Sequence, residues 1–118
     1  MISKTHRFTR RDFTFLRPKM KKFSAGDFLF FYCPLQRGSK LAAVISKKVD
    51  KRAVARNSWR RTVYDLVGVD LIRSQKPLAL VCLYKGASIP ENTDDLAVAW
   101  QQFKAYAVDK NYLRFHHE

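Results

Sequence analysis

The stretch LAAVISKKVDKRAVARNSWRR, residues 41–61, decides the fold of this chain because it joins an apolar segment directly to a basic one. Residues 41–46 predict a β-strand, and residues 52–67 predict a helix that Gly68 can end. Residues 46–61 carry seven Lys or Arg side chains and a single acid, Asp50. Because like charges repel one another, a fold keeps such a run for a reason, and the run predicts a surface that binds anions.

Two further strands are predicted on either side of this unit. DFLFFYC, residues 27–33, has apolar side chains on both faces. One face should pack on the core, and the other should meet a covering helix or form an open apolar groove. PLALVCLY, residues 77–84, is apolar almost throughout and is expected to be a central strand.

Two helices are predicted at the ends of the chain. The first covers residues 10–16, with Thr9 as its N-cap, Asp12 completing a capping box, and Pro18 stopping it. Asn92 is expected to cap the last helix. Its core stripe, at helical spacing, is Leu96, Trp100, Phe103 and Ala107. The order of elements predicts a single α+β domain over residues 1–118, a two-layer sandwich of helices against a small mixed sheet.

The net charge of the 118-residue chain is +13, and the excess is concentrated. Residues 1–22 and residues 40–61 each hold eight basic side chains and one acid, while the remainder is nearly balanced. A polyanionic partner is therefore expected, on a patch that forms if the fold brings the two segments together.

Other classes of function have little support in the sequence. No apolar run approaches the length of a membrane-spanning helix, and the N-terminus lacks the apolar region of a signal peptide. Cys33 and Cys82 are interpreted as buried free thiols in a reducing cytoplasm. No nucleophile–base pair, carboxylate cluster or metal-ligand spacing is present, so no catalytic residue and no protein-bound metal are expected.

The predicted basic helix has two aligned rows of polar side chains. Arg52, Arg56 and Arg60 recur every four residues, and Asn57 and Arg61 form a second row about 100° around the axis. The first row points almost the same way as the apolar residues of the following turns, so the helix should start at the rim and run into the core. A solvated charged face is the alternative, although such faces usually mix charges of both signs.

Aromatic residues accompany the charge, and two interpretations stay open for each. An exposed ring beside a basic rim can stack on unpaired bases, whereas a buried ring belongs to the core. The residues concerned are Phe8, Phe13, Phe15, Phe28, Phe30, Phe31 and Tyr32.

The quoted stretch resembles the signature region of the protein subunit of bacterial ribonuclease P. In that family a strand ends in Ser/Ala-Lys-Lys, and a helix then opens with Ala-x-x-Arg-Asn-Arg-x-Lys-Arg. The matching residues here are Ser46, Lys47, Lys48, Ala53, Arg56, Asn57, Arg60 and Arg61. RFTRRDFTFL and LALVCLYKGA resemble the family's N-terminal helix and its strand ending in Lys-Gly, and about 100 residues match in order.

This chain departs from the family pattern at several positions. Ser58 replaces the third residue of the Arg-Asn-Arg block, and Arg60 replaces a lysine. The usual Arg-Glu pair after the block is Tyr64-Asp65. Arg17 replaces a second aromatic four residues after Phe13, so a divergent set of contacts is expected.

The resemblance implies an αβββαβα fold that is ribosomal-protein-S5-like, with a left-handed βαβ crossover. It implies a cytoplasmic protein cofactor of a ribonucleoprotein endonuclease that removes the 5′ leader of precursor tRNA. The ribonuclease P RNA would catalyse the hydrolysis with Mg²⁺ bound mainly by the RNA, and the protein would improve metal occupancy there. The partners would be this RNA and precursor tRNA, without a membrane or a small-molecule substrate.

The resemblance also assigns residues to two surfaces. The leader groove would be lined by Phe13, Arg17 and Phe31. The surface that docks on RNA would comprise Ser46, Lys47, Lys48, Lys51, Arg52, Arg56, Asn57, Arg60 and Arg61. The alternatives are a non-catalytic RNA-binding module, such as a ribosome-associated protein, and a nuclease acting without RNA.

Overall fold

The computed structural model describes residues 6–90 and 92–116. The N-terminal region that was expected to lack a signal peptide begins with residues 1–5, which lie outside the described residues. The elements are α1 (Arg10–Leu16), a 3₁₀ turn (Arg17–Lys19), β1 (Lys21–Ala25), β2 (Phe28–Pro34), β3 (Lys40–Ile45), α2 (Ala53–Val63), a π-helical segment (Tyr64–Gly68), α3 (Val69–Leu71), β4 (Leu78–Tyr84) and α4 (Asp94–Asp109). Because α2, the π-helical segment and α3 form one continuous helical stretch, the predicted α+β fold with αβββαβα order is confirmed.

Both ends of α1 follow local chemistry. The Asp12 N–H donates to the Thr9 hydroxyl (3.1 Å), and the Thr9 N–H donates to the Asp12 carboxylate (2.9 Å), which forms the predicted capping box. At the other end, Pro18 lies in a 3₁₀ turn that follows Leu16 directly. The helix therefore begins and ends at the predicted residues.

The sheet has four strands in the order β1-β2-β4-β3. β1 and β2 are antiparallel neighbours, β2 and β4 are also antiparallel, and β3 runs parallel to β4. The expected central position of β4 is confirmed, and six of its seven residues are buried. The long helical stretch connects the parallel strands β3 and β4.

The main core lies between one face of the sheet and the two long helices. Phe28, Phe30 and Tyr32 alternate along β2 and are buried on this face. Trp59 of α2 stacks on Phe28 with centroids 6.4 Å apart, and Phe103 of α4 stacks on Phe30 at 5.0 Å. The four residues of the predicted α4 stripe are all buried.

The opposite face of the sheet is only partly covered. Leu16 of α1 packs with Cys33 and Ala79 at one end of the strands. Beyond this contact, Phe31 and Leu29 are half-buried, and Val44 is 37% exposed. The second face of β2 thus meets a covering helix at one end and remains an open apolar surface along the rest.

Strand β1 was not predicted from the residues, although the family pattern implied a third strand before α2. Its sequence KKFSA is polar at three of five positions, so it has weak strand character alone. A two-residue turn at Gly26 and Asp27 pairs Ala25 with Phe28, and Gly26 adopts φ +58°. Glycine tolerates this left-handed conformation, so the Gly-Asp pair specifies the hairpin.

The prediction that Gly68 ends the middle helix is wrong. Gly68 has a helical φ of −64° and lies inside the helical stretch, which continues to Leu71. Val67 and Leu71 are both fully buried, and their burial offsets the low helix propensity of glycine. The prediction that Asn92 caps α4 is wrong by one residue: α4 begins at Asp94 with Thr93 as its N-cap, and Asn92 Oδ1 accepts from the Asp94 N–H (2.9 Å) from the turn before it.

Candidate nucleic-acid interface

The Ser-Lys-Lys element lies in an exposed turn at the carboxyl end of β3. Ser46, Lys47 and Lys48 are all exposed, and the Val49 N–H donates to the Ser46 carbonyl (3.1 Å), which closes the turn. The strand positions this turn beside the open apolar face because Val44, two residues earlier, belongs to that face. The two ammonium groups are therefore held near the end of the sheet.

Asp50 organises the start of α2. Its carboxylate accepts from the side chain of Arg52 (2.7 and 3.0 Å) and from the Arg52 N–H (2.9 Å), and Arg56 donates to the Asp50 carbonyl (2.9 Å). The hydrogen bond from the Arg52 guanidinium is the main reason that the pKa of Asp50 falls to about 2. This single acid of the basic run therefore fixes two arginines and remains ionised at neutral pH.

Burial increases along α2 as the sequence predicted. The side chain of Arg52 is 77% exposed, Arg56 and Arg60 are half-buried, and Val63 is fully buried. The helix thus starts at the rim and runs into the core.

The second row of α2 is exposed, as is Lys51 in the loop before the helix. Lys51, Asn57 and Arg61 are exposed, and Arg60 donates to Asn57 Oδ1 (2.8 Å), which links the two rows. Ser58 instead lines a different cavity, with Trp59 and Thr62 among its walls. Position 58 therefore contributes to a cavity that Arg52 also lines and not to the one that Asn57 lines.

The fold brings Arg7, one residue of the N-terminal basic segment, to this surface. Residue Arg7 bridges Leu41 in parallel along the free edge of β3, and it lines one cavity with Asn57, Arg60, Arg61 and Tyr64. Arg7 is therefore placed on this surface, whereas Lys21 and Lys22 of the same segment lie on β1, at the opposite edge of the sheet from β3. Sequence reasoning did not assign Arg7 to the interface, because its pairing with a strand more than 30 residues away has no local pattern.

The three predicted groove residues lie on the α1 side of the sheet. Phe13 is half-buried, with its ring 6.3 Å from that of Phe8 in an edge-on arrangement, and Arg17 is exposed one turn later. Phe31 is half-buried on the open face. Their role in leader binding stays a prediction.

Of the seven aromatics near the charge, three are core residues. Phe28, Phe30 and Tyr32 are buried against α2 and α4, so the stacking hypothesis no longer applies to them. In contrast, Phe15 is 60% exposed, with the Lys19 ammonium 4.5 Å from its ring centroid. The four rings of this set that are half-buried or exposed therefore lie on α1, on the residues flanking it and on the open face of the sheet.

The surface is rich in cations without matching acids. Within residues 6–90 and 92–116, the ion pairs join Lys40 to Asp12, Arg52 to Asp50 and Lys104 to Asp70, so the other cations of the basic run have no carboxylate partner there. In the same part of the chain, no three His, Cys, Asp or Glu side chains are placed to hold a metal ion. No helix of these residues is long and apolar enough to cross a bilayer. The arrangement suits electrostatic binding of a polyanion.

Solved structures share this fold. The RNase P protein of Staphylococcus aureus is 18% identical with a TM-score of 0.72, and the alignment covers 88% of this chain and 96% of that one. The RNase P protein of Thermotoga maritima, in complex with 1-(4-fluorophenyl)-2-thiourea, is 18% identical with a TM-score of 0.59, covering 81% and 92%. No curated protein matches the chain.

The family is identified by sequence as well as by fold. A sequence model of the family described as Ribonuclease P matches residues 2–107 of the 118-residue chain, which includes every strand and both surfaces described above. The resemblance expected from the basic stretch is therefore confirmed, and the chain belongs to the ribonuclease P family as a protein subunit of the bacterial type.

Proposed function

We propose that the chain is the protein cofactor of a cytoplasmic ribonuclease P ribonucleoprotein that matures the 5′ end of tRNA. It binds the catalytic RNA through the basic surface and binds the 5′ leader of precursor tRNA on the open face. The RNA subunit cleaves the phosphodiester endonucleolytically. The protein contributes phosphate neutralisation and positioning, with no catalytic side chain of its own.

The observation that supports this proposal best is the cluster of exposed cations in the turn after β3 and along α2, which Arg7 joins at the edge of β3. The cations of Lys47, Lys48 and Arg61 are exposed and have no carboxylate partner among the described residues. An RNA backbone supplies phosphates at close intervals, and binding it releases condensed counterions. Such a surface gains binding free energy from RNA without needing to read its sequence.

The open face supplies the second requirement, a place for unpaired bases. Residue Phe31 is half-buried between Lys22 of β1 and Val81 of β4. An exposed ring edge beside a lysine suits stacking with a simultaneous phosphate contact. A single-stranded leader is the part of precursor tRNA that presents unpaired bases in this way.

Magnesium is expected to be bound mainly by the RNA. The described residues of the protein do not fit a metal site, since no three potential ligands cluster within them. In this proposal the protein acts on the metal only through the RNA that it positions.

The experiment that tests the proposal measures the affinity of the reconstituted RNA–protein complex for precursor and for mature tRNA. Tighter binding of the precursor, abolished when the leader is removed, is the expected result. Equal affinity for the two tRNAs would contradict leader binding and would favour a non-catalytic RNA-binding module, which needs no leader groove. Cleavage by the protein without RNA would contradict the proposed division of labour.

A further inference from the structure

One cavity lies beside α1, on the side of the helix that faces away from Phe13. Its volume is about 350 Å³, and it is open to solvent. Phe13 and Phe15 are two residues apart, so their side chains leave the helix about 200° apart, and the cavity is separate from the predicted leader groove. The lining residues come from α1, from the residue after β2 and from the start of β3: Arg11, Asp12, Phe15, Leu16, Leu35 and Lys40.

The floor of this cavity is apolar. Leu16 is buried with Cys33 and Ala79, and Leu35 packs against the same cluster. The ring of Phe15 forms one wall and is exposed to solvent. The small apolar cluster beneath α1 therefore reaches the surface here, beside an exposed aromatic ring.

The walls of the cavity are held by contacts within the fold. The Lys40 ammonium donates to the Asp12 carboxylate (2.9 Å), which ties α1 to the start of β3. The Leu35 N–H donates to the Pro77 carbonyl (3.2 Å), which fixes the backbone after β2. These contacts shape the cavity before any ligand binds, as is usual for binding sites.

The rim of the cavity carries positive charge from three elements. Arg11 of α1 is exposed and has no carboxylate partner among the described residues. The ammonium group of Lys19, in the 3₁₀ turn, lies 4.5 Å from the ring centroid of Phe15. Lys40 extends from β3 and pairs with Asp12, which is the one acid of the lining. The rim therefore has an excess of cations around an apolar centre.

This surface is remote from the basic surface of α2. Strand β3 begins at Lys40 and ends just before Ser46, so roughly 20 Å of strand separates the cavity from the Ser-Lys-Lys turn. Arg11 belongs to the N-terminal basic segment, but it lies outside the cavity that Arg7 shares with α2. The charge of the N-terminal segment is thus divided between two surfaces.

The chemistry of the lining favours an apolar side chain over a nucleobase. The charged groups stand at the rim, whereas the floor offers leucine side chains and one aromatic ring. The polar edge of a base would lose its water there without gaining hydrogen bonds, which is unfavourable. An apolar side chain has no such cost, and the cationic rim favours carboxylates around it.

We propose that this cavity docks an acidic peptide segment of a partner protein. The segment inserts one large apolar side chain against Phe15 and Leu35 and places carboxylates near Arg11 and Lys19. A peptide can present a carboxylate on each side of its anchor residue, which suits cations that come from separate elements, whereas an anion with a single charge cannot. The inference goes beyond the proposed function because it concerns a protein partner instead of RNA.

The probe is a pair of synthetic peptides, Glu-Asp-Phe-Asp-Glu and Glu-Asp-Ser-Asp-Glu, which have the same charge and differ only in the anchor residue. Each is titrated into the ¹⁵N-labelled 118-residue chain, and the amide shifts give both the affinity and the location of binding. The phenylalanine peptide should bind about tenfold more tightly because its ring is buried. Its largest shifts should lie at Phe15, Leu16 and Leu35. Equal affinities, or shifts confined to α2, would overturn the proposal.

Phe15→Ser removes the exposed wall of the cavity. The two peptides should then bind with equal affinity. Val108→Ser is the matched control, since it replaces an exposed apolar residue of α4 and should leave the tenfold preference unchanged. A preference that survives in Phe15→Ser would refute the site.

The rim is tested by reversing one charge at a time. Arg10 and Arg11 are both exposed and adjacent in α1, but only Arg11 lines the cavity. Arg11→Glu should therefore weaken binding of the phenylalanine peptide about two- to fivefold more than Arg10→Glu does. Equal losses would show that net charge alone attracts the peptide, which would contradict the rim contact.

Two other occupants are examined with the same labelled protein, a single-stranded pentauridylate and vesicles that contain phosphatidylglycerol. If either one depends on Phe15 and the peptides show no preference, the cavity binds bases or a lipid surface, and the peptide proposal fails. Every arm uses the protein without ribonuclease P RNA. Failure of this inference therefore leaves the proposed function untouched, and the comparison of precursor with mature tRNA tests that function separately.

Discussion

Replacing Phe31 by alanine separates a binding role of the open sheet face from a structural role. The ring of Phe31 is half-buried, whereas its neighbour Phe30 is fully buried on the opposite face. A fully buried Phe→Ala change costs about 3–5 kcal/mol, so the half-buried ring should contribute about half, roughly 1.5–2.5 kcal/mol. A typical domain is stable by about 5–15 kcal/mol, so Phe31→Ala should remain folded.

The effect on binding should be specific to the leader. Stacking of one base on an aromatic ring contributes about 1–3 kcal/mol, so Phe31→Ala should weaken precursor binding by about 5- to 150-fold. Mature tRNA, which has no leader, should bind with unchanged affinity. The measurement is the ratio of precursor to mature tRNA affinity in the reconstituted complex, with urea unfolding of the free protein in parallel.

Phe23→Ala is the matched control for this experiment. Phe23 is also a half-buried ring of the sheet, but it faces α4, where its centroid is 4.7 Å from that of Tyr106 and 5.6 Å from that of Phe103. It should lower stability about as much as Phe31→Ala and leave the ratio of affinities unchanged. Equal ratios for both variants, or a loss of stability in Phe31→Ala as large as for a core phenylalanine, would refute the assignment of Phe31 to the groove.

Three further predictions concern the stability and reactivity of the fold. Thr9→Ala removes the side-chain acceptor of the capping box and should lower the free energy of unfolding by about 0.5–2 kcal/mol in urea titrations; no change would mean that α1 does not depend on its cap. The folded-state pKa of Asp50 is lowered from 3.8 to about 2, so its ionised form stabilises the fold above pH 4, and this contribution is lost as the pH falls toward 2. Wild type and Asp50→Asn should therefore differ in stability at neutral pH and converge near pH 2, whereas a constant difference would exclude the ionised carboxylate as the cause. Burial raises the pKa of the Cys82 thiol to about 12, so an alkylating reagent at pH 8 should label Cys82 only after unfolding, and rapid labelling of the native protein would contradict its burial.

Local patterns in the sequence predicted those features that depend on a few neighbouring residues. The capping box at Thr9 and the stripe of α4 follow from spacing alone, and both are found as expected. The gradient of burial along α2 was also predictable, because the basic row and the apolar row share one face of the helix.

Features that depend on distant contacts were missed or misjudged. Strand β1 forms because the hairpin at Gly26 aligns it with β2. Only Phe23 and Ala25 of its five residues are apolar, so the alternation of apolar and polar residues is too short to predict a strand from the sequence. Gly68 remains helical because Val67 and Leu71, on either side of it, are buried in the core. A glycine inside a helix costs about 1 kcal/mol relative to alanine, and the burial of one leucine side chain contributes more than this.

The candidate site divides in the same way. The charge run on α2 is visible in the sequence because all its members lie within one turn–helix unit. Arg7 joins this surface only through its pairing with Leu41, a contact between residues far apart in the chain. The open face likewise depends on how far α1 extends across the sheet, which the sequence of α1 does not specify.

The measurement that tests the central claim most directly is the cleavage of precursor tRNA in low magnesium. The three reactions contain the protein alone, a bacterial ribonuclease P RNA alone, and the two combined. Strong stimulation in the combined reaction only, with a 5′ leader of correct length as product, is the predicted result. Lack of stimulation with a cognate RNA, or cleavage by the protein alone, would contradict the account of this chain as an RNA-positioning cofactor.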